Sequence, residues 1–205
     1  MREKIKEILN YWFEDLDDSI PMEISSPQFR KWFGKDDATD RQIRERFEED
    51  YLQAVRGDYS AWEGDARGCL ALVILQDQFP RNMYRGKPRS FESDSRALDI
   101  CLHAVEKGED EKLQLIKRMF LYMPMMHAES RKIQQMSVQY FSLLVERAQK
   151  RSPTNVEFFS FSREYAKKHK AIIDRFGLYP HRNSVLGRPS TKEEEEFLKG
   201  PDSSF

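Results

Sequence analysis

An all-α fold, an array of about eight or nine antiparallel helices with no sheet, is predicted by three features of this 205-residue chain. Apolar residues recur at helical spacing along almost its whole length. Side-chain caps and glycines mark the places where helices start and stop. No stretch alternates apolar and polar residues in the way a half-buried strand does.

Ile5, Ile8, Leu9, Trp12, Phe13 and Leu16 form the apolar stripe of a first helix, and Phe29, Trp32 and Phe33 that of a short second one. Thr39 with Gln42 reads as a capping box, each side chain serving a backbone N–H of the other. The helix it opens carries Ile43, Phe47, Tyr51 and Val55 and stops at Gly57. Ser60 with Glu63 reads as a second box, ahead of the most apolar run, Cys69-Leu70-Ala71-Leu72-Val73-Ile74-Leu75. That run is apolar on nearly all sides and so belongs at the centre. Ser93 or Asp94 opens a helix with Ala97, Leu98, Cys101 and Val105, stopped at Gly108. Leu113, Ile116, Phe120 and Met123 mark the next, expected to end near Pro124. Ile133, Met136, Tyr140, Phe141 and Leu144 mark another. Thr154 with Glu157 reads as a third box, starting a helix through Phe158, Phe161, Tyr165, Ile172 and Phe176 that ends at Gly177. Ser190 with Glu193 caps a last short helix bearing Phe197 and Leu198. Residues 1–199 are expected to be one helical domain and 200–205 a frayed tail.

Composition narrows the function classes. Charged residues make up 34% and aromatics 12%, which together describe amphipathic helices rather than disorder. A net charge of −1 gives no global field toward nucleic acid or an anionic membrane, so neither is an expected partner. Cys69 and Cys101 sit in apolar helical patterns, which suits a reducing compartment. The N-terminus enters a charged amphipathic helix with no signal peptide, and no apolar run approaches the roughly 20 residues needed to span a bilayer. A cytoplasmic location is expected.

The chain spends its most distinctive residues on two phrases. Asp77-Gln78-Phe79-Pro80-Arg81-Asn82-Met83-Tyr84-Arg85-Gly86 follows the apolar run, and Tyr179-Pro180-His181-Arg182-Asn183 echoes it far downstream. These phrases, with Phe91 and Asp94, Phe120-Leu121-Tyr122-Met123-Pro124, His127-Ala128-Glu129, His169, Arg175-Phe176-Gly177 and Leu186-Gly187-Arg188, resemble the bacterial family known as domain of unknown function 924. The likeness runs in order over nearly the whole chain. It implies a tetratricopeptide-like helical fold and no established reaction. Met125-Met126 stands where the family pattern, after Pro124, has a further apolar residue, usually leucine, a volume-tolerant change.

Pro80 and Gly86 are expected to break the helix, leaving Arg81, Arg85 and Arg89 on an ordered loop between Phe79 and Ser93. Guanidinium forks suit carboxylate or phosphate. Gln78, Arg81, Asn82 and Arg85 from this stretch, with His181, Arg182, Asn183 and Arg188 from the second, are the candidate ligand-binding residues. In an array of helix pairs, loops of one sense gather on one edge, so the two sets could meet there. The alternative is structural: the arginines bind buried carboxylates such as Asp77, Asp94 or Glu129, and helix C-terminal carbonyls.

Asp77, His127, Glu129 and His169 are the candidate acid–base groups. Asp77 ends an apolar helix and needs a partner, for which Arg81 at i+4 is the nearest by spacing. His127 and Glu129 are expected near a helix start, where Glu129 would suit the dipole. His-x-Glu is too weak a pattern for a metal site, and no Gly-rich phosphate loop or nucleophile elbow is visible, so neither metal nor cofactor is expected. Three readings stay open. They are a binding module for an anionic small molecule or an acidic or C-terminal peptide segment, an enzyme on an anionic small molecule, and motifs that are structural locks.

Overall fold

The computed structural model describes residues 2–201 and 203. Among the described residues the regular structure is entirely helical. Eleven α-helical segments follow in order: α1 (Arg2–Phe13), α2 (Pro27–Phe33), α3 (Asp37–Arg56), α4 (Ala66–Val73), α5 (Phe79–Met83), α6 (Asp94–Glu106), α7 (Leu115–His127), α8 (Arg131–Arg151), α9 (Val156–Phe176), α10 (Asn183–Leu186) and α11 (Lys192–Phe197). The links from α7 to α8 and from α8 to α9 are only a few residues long, so these neighbours pack antiparallel.

The apolar run is central as expected: every residue from Cys69 to Leu75 is buried. Around it Trp12, Phe13, Trp32, Phe79 and Phe120 form an edge-to-face aromatic cluster joining α1, α2, α5 and α7. Gly68 lets α4 reach its seat, since a Cβ there would lie 1.9 Å from the Trp62 carbonyl oxygen. A smaller cluster, Ile172, Ile173 and Tyr179 with Phe176 and Phe197, ties the end of α9 to α11.

Helix stops follow the sequence more closely than helix starts. Gly57, Gly108 and Gly177 take φ of 86°, 68° and 75°, the left-handed region in which glycine carries no Cβ penalty. The starts shift. Asp36, not Thr39, caps α3, accepting from Thr39 N at 2.8 Å. Asp65, not Ser60, caps α4, accepting from the Arg67 and Gly68 N–H groups. A carboxylate next to the first turn is a stronger acceptor than a hydroxyl. Residues 153–155 form a 3₁₀ turn in place of the box expected at Thr154. The last box exists, one residue later, at Thr191 and Glu194. Val55, expected on the inner face of α3, is 52% exposed, and Ala54 is buried instead.

Two prolines expected to end helices do not. α7 runs through Pro124 to His127. α4 continues through a π turn, Ile74–Gln78, straight into α5. Of the tail, Asp202, Ser204 and Phe205 lie outside the described residues, while Ser203 is 7% exposed and its Oγ donates to Leu198 O at 3.2 Å.

Candidate functional site

The site begins with what Pro80 does to its helix. Pro80 lacks an N–H, and its ring crowds the carbonyl four residues back, that of Gln76. The chain answers by widening: Phe79 N bonds to Ile74 O, five residues back, which makes the π turn. Gln76 O still needs a donor, and Ser93 Oγ, at the mouth of α6, supplies it at 2.6 Å. Because the helix is never broken, Asp77 and Arg81 lie one turn apart on a continuous rod.

Asp77 is fully buried and held on every side. His127 Nδ1, from the last turn of α7, is 2.7 Å from its Oδ1, and Gln78 Nε2 donates to Oδ2 at 2.5 Å. Arg81 Nη2 lies 3.4 Å from Oδ1. Burial alone would raise the Asp77 pKa, but the Arg81 charge and His127 outweigh it and hold the carboxyl ionised below the usual range. His127 shifts down too, which for an imidazole favours the neutral form. Burial first, then the Arg81 charge, lower its pKa against the pull of Asp77, so the ring is neutral at pH 7. A neutral imidazole facing an ionised carboxylate must put its proton on Nδ1.

Arg81 reaches further. Nη1 donates to Asp77 O at 3.0 Å, Ser90 O at 3.2 Å and Asp94 Oδ1 at 2.9 Å, and Nη2 donates to Asp94 Oδ2 at 3.1 Å. Asp94, in the first turn of α6, also accepts from Arg182 Nη1 at 3.1 Å. The arginines of the two phrases therefore meet on one carboxylate. Arg182 also caps α7, giving Nη2 to His127 O at 3.2 Å. Its guanidinium carbon sits 4.5 Å from the Phe91 ring centroid and 4.6 Å from that of Tyr179. Burial, then Arg81, lower the Arg182 pKa, and Asp94 only partly offsets them.

Beside this knot Arg188 grips Glu129 with two hydrogen bonds of 2.7 and 3.0 Å, and Glu129 accepts Tyr179 N at 2.8 Å. Glu129 precedes Ser130, the N-cap of α8, so it is a clamp between segments rather than a first-turn residue. Burial would raise its pKa, but Arg188 and the Tyr179 N–H lower it overall. Tyr179 is itself locked, its hydroxyl donating to Met126 O at 2.6 Å and accepting from Gln134 Nε2 at 2.8 Å. His169 is buried, with Nδ1 2.9 Å from Tyr165 O and its ring 6.3 Å from that of His127. Burial pushes its pKa down to about 3, and that of His181, half-buried beside Tyr179, down to about 4.

Other candidates point elsewhere. Asn82 and Arg85 turn to α3, where Asp40 accepts Asn82 Nδ2 at 2.8 Å and Arg85 Nε and Nη2 at 2.7 and 2.8 Å. They line a shallow groove with Asp37 and Arg41. Asn183 is buried and donates to Ser190 Oγ and Glu194 Oε2. The face that remains gathers Asp77, Gln78, Arg81, Asp94, His127, Arg182 and, beside them, Glu129, His181 and Arg188. Asp94 joins two arginines where the sequence pairs it with none in particular. Gln134 is a support that no motif marks, and Ser93 and Tyr179, read as a helix cap and as part of the second phrase, prove to be supports as well. Among the described residues no group of three or more His, Cys, Asp or Glu is placed to hold a metal ion, and no helix is long and apolar enough to cross a membrane.

Fold and site thus define an all-α protein with a dense, half-buried ion-pair knot at the junction of α5, α6, α7 and the segment before α10. The chain belongs to the bacterial family of proteins of unknown function, DUF924, whose model matches residues 8–202. It is similar to a solved structure of a protein of unknown function from Agrobacterium tumefaciens, with 30% sequence identity and a TM-score of 0.79, covering 97% of this chain and 99% of that one. No curated protein matches it.

Proposed function

We propose that this chain is a cytoplasmic binding module that reads an anionic ligand, a small molecule or an acidic or C-terminal peptide segment, at the face where Arg81, Asp94, His127, Arg182 and Arg188 meet. The observation that carries this reading is the convergence of two phrases, far apart in sequence, on one carboxylate. That convergence brings donors from separate segments onto one surface where Arg81, His127 and Arg188 keep side-chain exposures of 22, 14 and 28%. Arg182 shares its carboxylate: Asp94 takes two bonds from Arg81 and one from Arg182, and Arg182 Nε is buried with no acceptor among the described residues. The tetratricopeptide-like resemblance supports the same reading, since helix-pair arrays use their surfaces to hold peptides.

One observation favours the structural reading instead. Every guanidinium of the phrases already has a carboxylate, Arg81 and Arg182 on Asp94 and Arg85 on Asp40, and so does Arg188, on Glu129. The enzyme reading keeps only the Asp77–His127 pair, because Glu129 is consumed by Arg188 and Tyr179 N, and His169 Nδ1 by Tyr165 O.

A thermal-shift panel of carboxylates, phosphorylated metabolites, nucleotides and C-terminal peptides separates these readings in the wild type and Arg188→Ala. A ligand at 100 times its dissociation constant stabilises by about 2.7 kcal/mol. A hit that Arg188→Ala weakens, with the variant still folded, supports the module. No hit in the wild type, with Arg81→Ala losing more than about 3 kcal/mol of stability, favours the lock.

A further inference from the structure

Resting on that binding reading, we infer that the site takes a carboxylate flanked by an N–H or O–H donor, with His127 Nε2 accepting that donor and Arg81 and Arg188 donating to the carboxylate. The argument starts from Asp77. A carboxylate offers only acceptors, so Nδ1 of His127 at 2.7 Å must carry the hydrogen, and Nε2 is left as a lone pair. Asp77 cannot swing away to release this tautomer, because it is fully buried and pinned by Gln78 and Arg81. Nε2 makes no hydrogen bond among the described residues, yet it is not one of the chain's sealed, unpartnered atoms, and the side chain is 14% exposed. The face therefore presents one fixed acceptor amid guanidinium donors.

Charge selects among anions. Arg81, Arg182 and Arg188 are matched one for one by Asp77, Asp94 and Glu129. A cluster with no surplus cation is a poor host for a dianion such as phosphate and a better one for a monoanion that also brings a donor. Hydroxy acids and the C-terminal residue of a peptide, whose backbone N–H lies beside its carboxylate, share this chemistry.

The test uses matched probes on protein with ¹⁵N-labelled histidine: lactate against propionate, a short peptide with a free C-terminus against the same peptide N-methylated at its last residue, and inorganic phosphate. The expected result has three parts. The free protein shows His127 protonated at Nδ1 and bare at Nε2. The Nε2 resonance moves on binding. The donor-bearing member of one pair binds about tenfold more tightly, the value of one hydrogen bond. His127→Gln reduces that preference toward unity. A response only to lactate assigns the site to small acids, and one only to the free peptide assigns it to chain ends. Equal affinities within both pairs, a preference for phosphate, or a proton on Nε2 in the free wild type would overturn the inference while leaving anion binding standing. Absence of binding by every probe would remove both.

Discussion

At the scale of residues, the account turns on groups whose protonation is fixed by burial. Asp77 is the sharpest case, a carboxylate with no exposure whose charge is kept by Arg81 and His127. Asp77→Asn removes that charge and leaves Arg81 partly uncompensated, with an expected loss of about 3 kcal/mol in urea unfolding. A loss below about 1 kcal/mol would mean that the pair is not coupled to folding. The histidines make a second prediction. His169 and His181 have folded pKa values of about 3 and about 4 against an ordinary 6.5, and burial lowers His127 too. Well above pH 6.5 these rings are neutral in both folded and unfolded chains, so they add no pH dependence there. Below it the unfolded chain takes up protons that the folded chain refuses, so stability falls as pH falls, by at most about 1.4 kcal/mol per pH unit per ring. Asp77 acts in the same direction at lower pH, its contribution present above its unfolded value of 3.8 and lost below it. Urea midpoints at pH 7, 6 and 5 isolate the histidines, and a flat profile would contradict their neutral burial.

At the scale of elements, the π turn explains why the richest phrase lies on a helix and not a loop. Pro80 strips Gln76 O of its donor, and Ser93 Oγ replaces it. Ser93→Ala is expected to cost about 1–2 kcal/mol in the wild type and clearly less in a Pro80→Ala background, where a backbone N–H is again on offer. A double-mutant cycle with no coupling would break this link. Gly68→Ala is a second test of an element's seat, since its Cβ would fall 1.9 Å from Trp62 O, and a drop of more than about 2 kcal/mol is expected by thermal melting. The helices themselves were legible because their stripes are strong: Ile43, Phe47 and Tyr51 are all buried on α3, and Cys69 to Leu75 on all sides of α4 and the π turn that follows it. Starts were less legible, because several oxygens compete for the same N–H groups and the winner, Asp36 or Asp65, is decided by backbone geometry that spacing does not show. Proline was over-read as a stop at Pro80, because the donor that rescues the helix comes from Ser93 on another element.

At the scale of the whole molecule, the two phrases were legible as a pair but their meeting point was not. Arg81 and Arg182 find each other only because α6 delivers Asp94 between them. Neighbouring residues of the same phrases diverge by helical rotation: Asn82 and Arg85 face α3, and Asn183 faces α11. A motif in sequence thus splits into one converging face and two separate struts. The fold leaves that face partly buried, balanced in charge and fixed in tautomer, which is the basis for reading it as a recognition surface. Chemical-shift mapping of the ¹⁵N-labelled protein titrated with lactate and with a free C-terminal peptide tests this claim most directly. The account predicts that shifts concentrate at residues 77–94, 127–129 and 179–188 and weaken in Arg188→Ala. Shifts confined to the α3 groove around Asp40, or none with either probe at millimolar concentration, would contradict it.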